Sequence, residues 1–169
     1  MKLLKNLAIA AITAVTTIAP ALARVEDGTS DLLKTLSDNG IHITFNSPNC
    51  DGTHYGVYRF VGLKREMHLC PGNSVDAVDH STVRHEAWHA VQHCVNSARG
   101  TAVNSPIGDI PELVELVNEH LSSDTVDYVK ATYPEEHWAI ELEANLAEET
   151  MTATDITELF LTACVGGNL

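Results

Sequence analysis

The chain has 169 residues and a formal net charge of −13, from 23 acidic and only 10 basic side chains. A surface this acidic repels phosphate backbones and anionic lipids, which argues against nucleic acid as a partner and against electrostatic attachment to a membrane. The length is sufficient for one domain with its own hydrophobic core.

Residues 1–23 have the pattern of a secretory signal peptide. Two lysines precede an uncharged apolar run at residues 7–19, and a small-x-small sequence follows at residues 21–23. We therefore predict cleavage after Ala23, which leaves residues 24–169 as a single secreted or periplasmic domain without a stable membrane span. The apolar run is shorter than the roughly 20 residues that a spanning helix needs, although an uncleaved N-terminal anchor is the alternative.

Hydrophobic periodicity predicts an α+β fold in which about three strands pack against a helical core. A short helix at residues 30–39 precedes strands at 41–45, 55–61 and 65–70, and these suggest a small antiparallel sheet. Further helices are predicted at residues 79–96, 109–121, 124–132, 134–150 and 155–164.

All four cysteines lie in the segment expected to remain after cleavage. An even number of cysteines in an exported chain indicates two disulfides. We favour Cys50–Cys70, which would close the strand-rich segment, and Cys94–Cys164, which would tie the helix at 79–96 to the C-terminal helix. Free buried thiols are the alternative.

The sequence His85-Glu86-Ala87-Trp88-His89 has the form H-E-x-x-H and falls within the predicted helix 79–96. Residues four apart lie on one face of a helix, so two imidazoles at this spacing can bind one zinc ion. Glu86 is close enough to hold and deprotonate a water on that ion. The motif therefore predicts a single Zn²⁺ with Glu86 as general base.

Catalytic zinc usually has three protein ligands and a water, so a third ligand is needed. His93 continues the series but lies about 12 Å along the helix axis from His85, too far to share one ion. Glu141 is the better candidate, because it lies beside an apolar stripe of the helix 134–150 and can face the metal helix. Asn145, one turn on, could orient a metal-bound histidine. Glu143 is the alternative third ligand.

H-E-x-x-H followed on a later helix by E-x-E-A-N resembles the gluzincin metallopeptidases, especially their small, minimal members. The resemblance rests on these two segments and on the order of strands before the first motif. It implies a zincin-like core in which His85, His89 and Glu141 are the zinc ligands and Glu86 is the general base. It also implies that Asn145, where the family commonly has Asp, orients a zinc-bound histidine.

Together these features predict a secreted zinc-dependent metallopeptidase that hydrolyses a peptide or protein substrate through a metal-activated water. A strand edge could hold an extended substrate, and Tyr128, Tyr133 and His137 are candidates for steadying the oxyanion. The alternatives are an inactive zinc-binding structural or interaction protein and a metal-dependent amidase acting on cell-wall material. Glu86 favours an enzyme, because a structural zinc site needs no carboxylate base.

Overall fold

The computed structural model describes residues 28–48, 50, 55–70, 79–102 and 105–166. These residues form six α-helices and three strands, so the predicted α+β class is confirmed. The predicted signal segment, residues 1–23, lies outside the described residues. In chain order the elements are α1 (Thr29–Asp38), β1 (Ile41–Phe45), β2 (Gly56–Val61), β3 (Lys64–Leu69), α2 (His80–Arg99), α3 (Ile110–His120), α4 (Ser123–Thr132), a 3₁₀ turn (Glu135–His137), α5 (Trp138–Thr150), α6 (Ala153–Phe160) and a π-turn (Leu161–Val165).

The three strands form a mixed sheet in the order β1-β3-β2. β2 and β3 are an antiparallel hairpin, whereas β1 runs parallel to β3 with Ile41 opposite Arg65 and Phe45 opposite Leu69. The prediction of a wholly antiparallel sheet is therefore wrong for β1. Alternating side chains identify a strand but not its neighbours in the sheet. Here β3 pairs with both other strands and takes the central position, so β1 and β2 lie at opposite edges of the sheet.

The main core lies between the sheet, α1, α2 and α6. Its fully buried side chains include Leu32 and Leu36 of α1, Met67 and Leu69 of β3, and Phe160 of α6. A smaller apolar cluster joins α3 to α5. α2 packs against the sheet, α5 and α6.

Both ends of α2 are determined by local capping residues. The Asp79 side chain accepts a hydrogen bond from the Ser81 backbone amide at 2.9 Å, which caps the first turn. Gly100 follows the last residue with a left-handed φ of 67°, a conformation that costs glycine little. The helix therefore extends three residues beyond its predicted end at residue 96.

Both predicted disulfides are formed. Cys50 is bonded to Cys70, and Cys94 of α2 is bonded to Cys164 of the π-turn. Two such bonds are typical of a protein outside the reducing cytoplasm. Within the described ranges, no helix is both long enough and apolar enough to cross a membrane.

Candidate metal centre

Two helices bring His85, His89 and Glu141 together, and we name them the His-His-Glu cluster. His85 and His89 project from one face of α2 with ring centroids 4.9 Å apart. Glu141 is in the first turn of α5, and its Oε2 lies 3.4 Å from Nε2 of His85 and 3.7 Å from Nε2 of His89. The three side chains are only 12 to 14% exposed, so the cluster is largely shielded from water.

The geometry of the cluster fits a metal ion. Bonds of 2.0–2.2 Å to a tetrahedral ion place neighbouring ligand atoms about 3.3–3.6 Å apart, close to the two distances between Glu141 and the histidines. The Glu141 Oε2 atom is buried, and the histidine nitrogens beside it, at 3.4 and 3.7 Å, do not form a well-aligned hydrogen bond with it. Burying an acceptor with such weak partners is costly, and a cation would compensate for it. The cluster could therefore hold one metal ion.

The outer nitrogen of each imidazole has its own acceptor. Nδ1 of His85 lies 3.1 Å from Oε2 of Glu148, and Nδ1 of His89 lies 2.7 Å from Oε1 of Gln92. Because both partners are oxygen acceptors, each Nδ1 carries the hydrogen and each Nε2 directs a lone pair towards Glu141 when the ring is neutral. This is the tautomer that a metal ion requires from a histidine ligand through Nε2.

Among the described residues, no hydrogen bond joins Asn145 to either histidine. Its side-chain amide donates to the backbone carbonyl of Glu141 at 2.9 Å, within its own helix. The outer nitrogens of the two histidines face Glu148 and Gln92 instead, so the predicted contact of Asn145 with a histidine is not present in the described part of the chain. Asparagine side chains often form hydrogen bonds with nearby backbone groups, and Asn145 donates to the carbonyl one turn before it.

Glu143 and His93 also lie outside the cluster. The Glu143 carboxylate accepts hydrogen bonds from the backbone amides of Ile107 and Gly108 and from Gln92 of α2, so it faces a different part of that helix. The His93 ring packs on Phe60 of β2 with centroids 4.2 Å apart. Neither residue is placed to be a ligand, which agrees with the exclusion of His93 by helix geometry.

The charges of the cluster favour a cation. Burial acts to lower the pKa of His85, but the carboxylates of Glu141 and Glu148 outweigh burial and raise it to about 10. Burial acts to raise the pKa of Glu141, but the two histidines bring it down to about 2. Burial acts to raise the pKa of Glu148 as well, but His85 lowers it below its ordinary value. Both glutamates are therefore ionised at neutral pH, and together they make the space around the imidazoles electronegative.

Glu86 lies next to the cluster under the edge of the sheet. It is only 5% exposed, and the backbone amide of Tyr58 in β2 donates to its carboxylate. A Cβ at Gly56 would come within 2.7 Å of Glu86 Cγ and 2.8 Å of Oε1, so this approach requires glycine. Burial raises the pKa of Glu86, and the nearby His85 and His89 oppose that rise.

Tyr133, directly after α4, is an oxyanion candidate that interacts with the carboxylates of Glu141 and Glu86. Burial raises the pKa of its hydroxyl, and Glu141, Tyr128 and Glu86 raise it further. The phenol therefore stays protonated over the ordinary pH range and can donate a hydrogen bond. Tyr128 is 53% exposed.

No protein-family model, curated protein or solved structure matches the chain. What the centre can do chemically must therefore follow from its own residues.

Proposed function

We propose that the chain is a secreted or periplasmic zinc-dependent peptidase. The observation that carries this proposal is the position of Glu86, a buried carboxylate of raised pKa directly beside the His-His-Glu cluster. Two imidazoles and one carboxylate are a donor set that suits zinc, and three protein ligands leave a position for water. A site that only stabilised the fold would need no ionisable group at this point.

The residues around the cluster would share the work of hydrolysis. Bound zinc supplies a Lewis acid for the scissile carbonyl and lowers the pKa of a water. Glu86 would accept the proton of the attacking water and later deliver it to the leaving amine, and burial, which raises its pKa, makes it a stronger proton acceptor. The protonated hydroxyl of Tyr133 is the candidate donor to the carbonyl oxygen as negative charge develops there.

The edge of β2, beside which the described residues place no further strand, would hold the substrate. The backbone amide of Cys70 donates to the carbonyl of Tyr55, which sets the alternation along β2 so that Gly56, Tyr58 and Phe60 direct their backbone groups away from β3. An extended peptide could add to this edge as a further strand. Tyr58 also donates to Glu86, so a peptide on the edge would pass beside the proposed base.

The test compares zinc content with hydrolysis of a mixed-sequence fluorogenic peptide library. Wild-type protein should carry one zinc and cleave the library, and His85→Ala and Glu141→Ala should lose both properties. Glu86→Gln should retain zinc and lose activity by at least about 100-fold, because it removes the proton acceptor. Undiminished cleavage by Glu86→Gln would overturn the role of Glu86.

A zinc-binding protein without catalysis is the second candidate, and the 5% exposure of Glu86 is the observation that favours it. In that case Glu86 would serve to hold β2 on α2 through Tyr58. The zinc-loaded wild type would then cleave nothing in the library, and Glu86→Gln would lower stability alone.

A further inference from the structure

Glu143 is a buried carboxylate at the centre of a hydrogen-bond network. It is 7% exposed and accepts from the backbone amides of Ile107 and Gly108 at 2.8 to 3.0 Å. Its Oε2 also accepts from Trp88 Nε1 at 3.3 Å and from Gln92 Nε2 at 2.8 Å. These donors replace the water that the carboxylate loses on burial. The network therefore ties the segment before α3 to the helix that carries the histidines.

Gln92 connects this network to His89. Its side chain is fully buried, and Nε2 donates both to Glu143 and to the backbone carbonyl of Ile140, which lies 3.1 Å away. Two acceptors on one side orient the amide, so that Oε1 must face Nδ1 of His89, 2.7 Å away. A carbonyl oxygen can only accept, so the hydrogen of a neutral His89 must be on Nδ1.

We propose that Glu143 and Gln92 are positioning residues that hold His89 in the tautomer whose Nε2 is free for a metal ion. Glu143 acts through Gln92 and contacts no ligand itself. The inference rests on the metal site of the proposed function, but the tautomer of His89 can be measured without any ion. The amide oxygen of Gln92 accepts from Nδ1 of His89, just as the carboxylate of Glu148 accepts from Nδ1 of His85.

Glu143→Gln tests the far end of this network. The amide oxygen at position 143 would be retained by Ile107 and Gly108, so its NH₂ group would face the NH₂ group of Gln92. The Gln92 amide should therefore turn over and present its NH₂ group to His89. The hydrogen of His89 should then move to Nε2, the nitrogen that a metal needs.

The readout is the tautomer of His89, determined by long-range ¹⁵N–¹H correlation NMR in chelator-treated protein at pH 8. Wild type should have Nδ1–H, Glu143→Gln should have Nε2–H, and Gln92→Met should have a mixture. The zinc dissociation constant, measured by competition with a chromophoric chelator, should rise about 10- to 100-fold in both variants.

Asn96→Leu is the matched control. Asn96 is another buried amide of α2, and its side-chain hydrogen bonds are to Ser105 and Thr101 rather than to a histidine. This variant should lower stability and leave both the His89 tautomer and the zinc affinity unchanged. Retention of Nδ1–H in Glu143→Gln and Gln92→Met would overturn the inference. A wild type with Nδ1–H that binds no zinc would instead overturn the proposed function and leave the inference supported.

Discussion

The carboxylate of Glu148 lies 3.1 Å from Nδ1 of His85, on the opposite side of the imidazole from Glu141. Arg84 donates to the backbone carbonyl of Glu148 at 3.1 Å and holds this end of α5 against α2. The imidazole is therefore positioned from both sides by carboxylates on one helix. Removing the outer carboxylate should change how well His85 binds a metal without removing a ligand.

Glu148→Gln should weaken zinc binding by about 10- to 100-fold, because a neutral amide no longer polarises Nδ1–H of His85 and can turn its NH₂ group towards the ring. The dissociation constant is measured by competition with a chromophoric chelator. Glu149→Gln, a change of equal charge at the neighbouring exposed position, is the control and should bind as wild type does. Equal affinities in the two variants would show that Glu148 does not position His85.

Metal-free protein should lose stability as the pH rises above neutrality. The pKa of His85 is raised from 6.5 to about 10 in the folded chain, so its stabilising contribution is complete below pH 6.5 and disappears as the pH approaches 10. The free energy of unfolding should fall by up to about 1.4 kcal/mol per pH unit in this range. Urea denaturation of chelator-treated protein at a series of pH values measures the slope.

His85→Gln is the control for this pH dependence, since other groups also titrate above neutrality. The variant should lack the part of the slope that belongs to His85. Saturating zinc should remove the same part of the pH dependence from wild type, because the ion displaces the proton of His85. Calorimetry of zinc binding at pH 7 should therefore record release of about one proton. Equal slopes in wild type and variant would contradict the raised pKa of His85.

The part of the metal centre that lies on α2 could be predicted from sequence because its signals are local. Glu86 and the two histidines lie within five residues of one helix, and four-residue spacing determines a shared face. Gln92 also carried a local signal, since it lies three residues after His89 and such pairs are neighbours on a helix. The spacing alone does not identify its role, because a neutral amide is not an expected metal ligand.

The outer partner of His85 could not be predicted from sequence. Glu141, Asn145 and Glu148 share one arc of α5, and which of them reaches the imidazole depends on where α5 crosses α2. The direction of β1 is a similar case, because the order of strands is a tertiary property. Sequence patterns determined the elements and their faces, but not their crossing points or neighbours.

The Cys94–Cys164 bond should contribute more to stability than Cys50–Cys70. The bonded residues are 70 positions apart in the first pair and 20 in the second. Loop-closure entropy of the unfolded chain then predicts losses of about 4 and about 3 kcal/mol when each pair is replaced by serine. Urea denaturation of the two double variants measures the difference, and the reverse order would show that native-state contacts outweigh chain entropy.

Gly56→Ala should displace Glu86 and leave the binding of metal unchanged. The added methyl group would meet Glu86 Cγ at 2.7 Å and Thr82 Cγ2 at 2.8 Å, so β2 or the Glu86 side chain must move. We expect a loss of about 1–3 kcal/mol of stability, together with a fall in the turnover of the proposed reaction. Zinc affinity should be unchanged, because the three ligands lie on α2 and α5.

Gly62→Ala is the matched control for Gly56→Ala. Its φ of 65° makes alanine unfavourable by about 1–2 kcal/mol, but nothing in the described part of the chain lies within 4 Å of the added methyl group. The control should therefore lose comparable stability and retain full turnover with bound zinc. If Gly56→Ala also retained full turnover, the close approach of β2 to Glu86 would have no part in the reaction, and Glu86 would not require the position that Gly56 and Tyr58 give it.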